Sequence, residues 1–333
     1  MTRASEFLSP LRIQRVDDFT RLRFGEVNLN PEVAALRLEF ERRLSNVLAL
    51  LPGPLWRECL GAVDGYGGGG GKFYHLFYPP VWSFLYWIPA VARRPIDPAM
   101  LSHATTAQAL ALFLHLWDDH LCDGQLPLDM ARLQARCEAW RAFIVAANAL
   151  RDATAPGSRR VEQQVELYLT ATQRPGQAQD LEAYCERFLR QIAIWTLAPR
   201  LFGETSGQAD ALCATIESFS IAWRLLDDVQ DIAADSAAGV RTAVWHLLDD
   251  AGRRCWDDCH AAAQERERVD DATFEALAAH AKTPSCVPAL LARIDSHLAQ
   301  AARIAARENW SGLFREIVQS RLPVVSRGRR LSG

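Results

Sequence analysis

Residues 109–123 read ALALFLHLWDDHLCD, and residues 219–235 read FSIAWRLLDDVQDIAAD. Both stretches are apolar for several helical turns and then break into aspartates. On a helix, residues four apart share a face. Asp119 and Asp123 therefore point the same way, with Asp118 beside them. Asp227, Asp231 and Asp235 form a second stripe over two turns, with Asp228 on its shoulder. Carboxylates stacked in this way repel one another. They also sit at the helix end where the macrodipole favours cations. A divalent ion resolves both conflicts, and carboxylates with waters and phosphates are the ligand set magnesium prefers.

Adjacent aspartates alone carry little information in this chain. Pairs also occur at 17–18, 249–250, 257–258 and 270–271, where solvated faces or caps account for them. The two clusters above differ in context. Each has a further Asp at four-residue spacing, and each closes a long, nearly charge-free helix.

Outward from these helices, helical signals recur. Asn30 before Pro31 reads as an N-cap followed by a first-turn proline. Apolar residues at helical spacing follow to residue 51, and further helical runs are expected over 80–92, 100–123, 128–152, 157–173, 179–202, 207–235, 240–267, 271–282 and 286–322, some of them broken in two. No run alternates as a half-buried strand does. The expectation is an all-α, single-domain helical bundle over 31–325, with an N-terminal arm at 1–30 and a basic tail, SRGRRLSG, at 326–333. The segment 76–92 is free of charge, yet it is short for a membrane span and Pro79, Pro80 and Pro89 interrupt it. A buried core helix is expected there.

Composition narrows the function. Among 333 residues, 49% are hydrophobic, 23% are charged and the net charge is −3, which is globular and argues against a nucleic-acid partner. Arginine dominates the basic residues; only Lys72 and Lys282 are lysines. Cys59, Cys122, Cys137, Cys185 and Cys213 sit singly in apolar helical patterns and read as small buried hydrophobes. Cys255, Cys259 and His260 lack a second half at zinc-ligand spacing. The first residues, MTRASEFLSPLRIQRVDD, have no apolar core, so no signal peptide and a reducing, cytoplasmic setting are expected.

Two Asp-rich motifs of this kind resemble the class I isoprenoid synthases, a family that includes trans-prenyl diphosphate synthases and terpene cyclases. The resemblance runs from about residue 65 to 238. It implies a helical bundle around a central apolar cavity, an allylic prenyl diphosphate as substrate, and magnesium, three ions, bridging the two clusters. The family's second motif reads DDxxD, then another Asp, then Gly-Lys; Asp227, Asp228, Asp231, Asp235, Gly239 and Arg241 match it, with Arg241 in place of the lysine. Arg keeps the charge and adds a fork suited to phosphate. The first motif, DDxxxD, is similar to those of the family. The glycines at 67–71 and Lys72 are similar to its Gly-Gly-Lys turn and could offer backbone N–H groups to phosphate. Arg187 and Arg190 stand where the family has a phosphate-contacting lysine, and Arg224 where it has a glutamine. The resemblance thus implies Asp118, Asp119, Asp227 and Arg241 as catalytic, all seven clustered aspartates as metal ligands, and Arg241, Arg187, Arg190, Lys72 and Arg224 as diphosphate contacts. Phe84, Trp87, Phe113, Leu114, Trp117, Trp195, Phe219 and Trp223 are the candidates for the cavity wall. Phe113 and Leu114, about one turn before the first motif, should shape its floor; large residues there limit chain length in the family.

The departures concern a possible co-substrate. Elongating synthases follow the first motif with Arg-Arg-Gly, where this chain has Gly124-Gln125-Leu126-Pro127. They also carry Gly-Lys-Arg upstream, where Lys72 is here followed by Phe73. The machinery for one diphosphate is in place, whereas the residues that would hold another one are eroded. The expectation is therefore a terpene cyclase, a magnesium-dependent lyase. A prenyl diphosphate synthase is the alternative, and a non-catalytic subunit of a heteromeric synthase a further one. A homodimer is compatible with the family; no membrane span and no nucleic acid are expected as partners.

Overall fold

The computed structural model describes residues 22–66, 68, 70–91, 96–122, 124–173, 178–206, 208–266 and 271–321. Among them are fifteen α-helices and no strand. Helix α1 (Pro31–Leu48) starts as its sequence predicts: the Asn30 side chain accepts from the Val33 amide at 2.8 Å, and Pro31 occupies the first turn.

Helices α4 (Pro98–Cys122) and α9 (Ala209–Gln230) carry the two quoted stretches. Residues 109–114 on α4 are all buried, so neighbours must cover every face. They do: α5 (Met130–Thr154) runs along α4, α14 (Val287–Arg307) runs along α9, and α8 (Ala193–Ser206) packs against both α4 and α9. The two Asp-bearing helices thus share α8 as a neighbour.

Several expected runs are interrupted. The run 179–202 divides into α7 (Leu181–Gln191) and α8 around Ile192. The run 207–235 divides at Asp231 into α9 and α10 (Ile232–Ala238). The i→i+4 bonds Asp231 N to Asp227 O (2.9 Å) and Asp235 N to Asp231 O (2.8 Å) persist through that break, so the three aspartates keep their common face. Gly239 ends α10 in the left-handed region (φ 71°), and the His260 ring lies 2.9 Å from where a Cβ would stand. The run 286–322 breaks after α14, where Asn309 takes a positive φ before α15 (Ser311–Ser320).

One helix was not expected, α2 (Leu55–Tyr66), whose short sequence LWRECLGAVDGY carries two glycines. The 76–92 segment is not one helix. It holds α3 (Pro80–Trp87) and a 3-10 turn at Pro89–Val91, with Val81, Trp82, Phe84, Leu85 and Ile88 buried. Among the described residues no helix is long and apolar enough to cross a membrane. Of the cysteines expected inside, Cys59 and Cys213 are buried, Cys185 is half-buried, and Cys122 and Cys137 are exposed. Cys137 falls out of phase with the buried stripe of α5 (Ala135, Ala139, Phe143, Ala146).

Candidate active site

The last turns of α4 and α9 face each other across a group of aromatic rings. The two aspartates of each pair behave differently. Asp118 is buried; Arg136 of α5 grips it with Nε (2.6 Å) and Nη2 (3.0 Å), and the Tyr168 hydroxyl of α6 (Arg160–Gln173) donates to it at 3.0 Å. Asp228 is buried as well. It accepts from the Tyr184 hydroxyl (2.9 Å) and the Ala243 amide (3.1 Å), and Arg224 Nε stands 3.1 Å away. Arg224 also donates Nε to the Tyr184 oxygen (2.8 Å), and its Nη1 lies 3.6 Å from Asp227.

Asp119 and Asp227 are only half-buried. Burial pushes the Asp227 carboxyl up to about 6; Arg224 pulls against this, and Asp228, Asp231 and Asp119 add to it. Asp235 is pushed up to about 8 by burial, with Asp228, Asp231 and Asp227 adding and Arg224 opposing. Asp227 on one wall thus feels the charge of Asp119 on the other. This uncompensated negative charge fits a hard divalent cation. Among the described residues, no three His, Cys, Asp or Glu side chains come together as a metal site. Asp123 lies outside the described residues.

Beside the second stripe stands a basic corner. The guanidiniums of Arg241 and Arg253 lie over the Trp245 ring at 4.3 and 4.6 Å. The His246 pKa is lowered by burial and then by the charges of Arg253, Arg187 and Arg241, with Asp180 opposing. Arg190 is exposed on α7. The glycine loop is arranged differently from expectation. The Gly71 amide donates to the Asp64 carboxylate at 2.6 Å, and Lys72 is exposed; Gly67 and Gly69 lie outside the described residues. A cavity of about 250 Å³ beside the loop is lined by Glu41, Asp64, Lys72, Phe73 and leucines. Glu41 and Asp64 share the lining of this cavity with Lys72.

Of the aromatic candidates, Phe113, Trp117, Trp195, Phe219 and Trp223 join one connected group. Phe113 stacks on Trp117 (5.1 Å), and Trp195 lies 5.8 Å from Trp223. The links between them are residues the sequence did not single out. Phe73 contacts Phe113 (5.3 Å), Phe77 contacts Trp195 and Trp223 (6.0 and 5.9 Å), and Tyr78 contacts Trp223 and Phe219 (5.2 and 6.3 Å). Leu114 is buried, and its carbonyl lies 3.4 Å from the Tyr168 hydroxyl. Phe84 is buried on α3. Trp87 turns elsewhere: its Nε1 donates to Glu316 of α15 at 2.7 Å. Tyr66 and His120 also went unnoticed. The Tyr66 hydroxyl meets His120 Nδ1 at 2.6 Å, and burial with the charges of Asp119 and Asp227 raises its pKa. Its position directly before the glycine run was the available signal.

No protein-family model and no curated protein matches this sequence. Solved structures do match it. A geranylgeranyl pyrophosphate synthase from Lactobacillus brevis aligns with a TM-score of 0.67 and 14% identity, covering 87% of this chain and 97% of that one. A polyprenyl synthetase from Streptomyces coelicolor gives a TM-score of 0.60 and 16% identity over 86% and 98% of the two chains. A geranylgeranyl pyrophosphate synthase from Corynebacterium glutamicum, complexed with isoprenyl diphosphate and magnesium, gives 0.52 and 14% over 92% and 99%. The chain has the all-α fold of the class I isoprenoid synthases. These three matched proteins are geranylgeranyl or polyprenyl synthases and not cyclases, and this corrects the cyclase expectation. The missing arginines do not by themselves mark a one-substrate enzyme.

Proposed function

We propose that this chain is a prenyltransferase of the diphosphate-synthase kind, joining an allylic prenyl diphosphate to a second, homoallylic diphosphate. The observation that carries this is the placing of Asp119 and the Asp227 stripe on opposite walls above an aromatic group, beside Arg241 and Arg187, in a chain of this fold. Asp119, Asp227, Asp231 and Asp235 would hold magnesium. When bound, that metal supplies Lewis-acid charge to the departing diphosphate. The three-ion count belongs to the same proposal.

Arg241 and Arg187 add fixed positive charge where the leaving group's charge develops. The allylic C1–O bond breaks and its electron pair leaves with the diphosphate. The aromatic faces of Trp195 and Trp223 flank the allylic cation and keep water away. The double bond of the homoallylic substrate supplies the pair for the new C–C bond. A proton then leaves the adjacent carbon for the released diphosphate.

The test is a product assay with magnesium and allylic diphosphates of ten to twenty carbons, each with and without isopentenyl diphosphate. Longer prenyl diphosphates formed only when both are supplied support the reading. Absence of any condensation product across all pairs overturns it.

A further inference from the structure

Residues 22–30 form no helix, and the sequence set them apart from the bundle as an arm. Yet Leu22 and Phe24 are only 5% and 6% exposed. An irregular segment buries side chains only where its backbone groups find partners. Here they come from two helices. Gln230 Nε2 of α9 donates to the Leu22 carbonyl. The Gly25 amide donates to the Ser320 carbonyl at 3.1 Å, and the Asn28 amide to Gln319 Oε1 at 3.0 Å, both at the end of α15. Gln230 lies between Asp228 and Asp231, so the first tie is made inside the second aspartate motif.

Between these ties the Phe24 ring turns inward, 4.9 Å from the Tyr78 ring and 5.7 Å from Phe219. Phe219, Trp223 and Asp227 stand four residues apart on α9 and share one face. Phe24 therefore packs on the stripe that ends in Asp227. Tyr78 makes the second link, with its ring 5.2 Å from Trp223. Burial raises the Tyr78 pKa, the charge of Arg23 and the Phe24 backbone oppose this, and the charge of Asp227 adds to it. One hydroxyl thus senses both the segment and the motif.

We propose that Phe24 is a specificity-determining residue, which closes the aromatic group on its α9 side and, with Tyr78, bounds the space open to the prenyl chain. The segment is then part of the site and no appendage to it. The chain-length role rests on the prenyl-transfer reading; a bound on any hydrocarbon tail at this place does not.

The test compares wild type with Phe24→Ala, Phe24→Leu and Phe24→Trp by two readouts. The first is product length from farnesyl and isopentenyl diphosphates with magnesium. Phe24→Ala should give products at least one five-carbon unit longer, Phe24→Trp shorter ones, and KM for isopentenyl diphosphate should stay within about threefold. The second is calorimetric binding of unreactive allylic thiolodiphosphates of ten and twenty carbons, without isopentenyl diphosphate. Phe24→Ala should shift the affinity ratio about tenfold toward the longer tail, the scale on which an apolar pocket discriminates by size. Phe24→Leu, which keeps an apolar side chain in place, should shift both readouts the same way by less, and carries the test if the alanine variant fails to fold. Unchanged product lengths and an unchanged ratio in the folded variants overturn the proposal. Wild-type protein that forms no condensation product overturns the prenyl-transfer reading, while the binding ratio still decides whether Phe24 bounds the tail.

Discussion

Phe113 is fully buried, stacked on Trp117 one turn below the first aspartates and touching Phe73. On the proposed prenyl transfer, a chain growing from the aspartates down α4 would run against this ring. Phe113→Ala should therefore give products at least one five-carbon unit longer, read by chromatography of the hydrolysed alcohols; unchanged products would place the floor elsewhere. Arg241 lies over Trp245 at 4.3 Å, which holds its planar fork in place. Arg241→Gln should lower kcat/KM about a hundredfold, as loss of one charged transition-state contact does, with Tm unchanged. At this scale the sequence was informative wherever residues cooperate within one helix. The four-residue spacings of Asp227, Asp231 and Asp235 were legible because helical geometry alone sets them. Arg136, Tyr168 and Tyr184 were not, because they reach their aspartates from other helices, 18, 50 and 44 residues away in the chain.

Among the elements, α3 and α15 are joined by a buried carboxyl. Glu316 of α15 accepts from Ser83 and from Trp87. Burial pushes it up to about 7, against the hydrogen bonds from Ser83 and Trp87. A carboxyl raised above its unfolded value stabilises fully below the unfolded pKa, and that contribution fades as pH rises through the folded one. Between pH 4.5 and 8 this group should thus cost the fold about 3 kcal/mol, from 1.36 kcal/mol per unit. Glu316→Gln should flatten that part of the stability profile in denaturant titrations at pH 5 and pH 8; parallel wild-type and mutant profiles would exclude it. The same junction explains Gly312, whose Cβ would stand 2.1 Å from the Trp87 ring. Gly312→Ala should lose about 1–3 kcal/mol in the same titrations through overpacking. Helix boundaries were the least legible feature. Neither Ile192 nor Asp231 carries a breaker, and α2 was missed because two glycines thin its apolar pattern.

For the whole molecule, two acidic walls and a basic corner predict a ligand that needs both signs of charge. Magnesium and inorganic diphosphate together should raise Tm by a few degrees, since a hundredfold excess over Kd stabilises by about 2.7 kcal/mol. Either alone should do much less, because the carboxylates repel a bare anion. Equal shifts with diphosphate alone, by scanning calorimetry, would contradict a shared site. The all-α class and its two opposed motifs were readable because helical periodicity and charge breaks are local signals. The choice between one substrate and two was not, because it turned on loop residues whose partners lie elsewhere.

The aromatic group also makes the protein its own optical probe. Trp195 and Trp223 lie 5.8 Å apart, with the His115 ring 4.7 Å from Trp195. Indoles this close couple their transitions, so the near-ultraviolet circular dichroism of the protein should carry a signal from the pair. A hydrocarbon tail threading between the rings would change their angle, and occupancy of the site could be followed by light without any label.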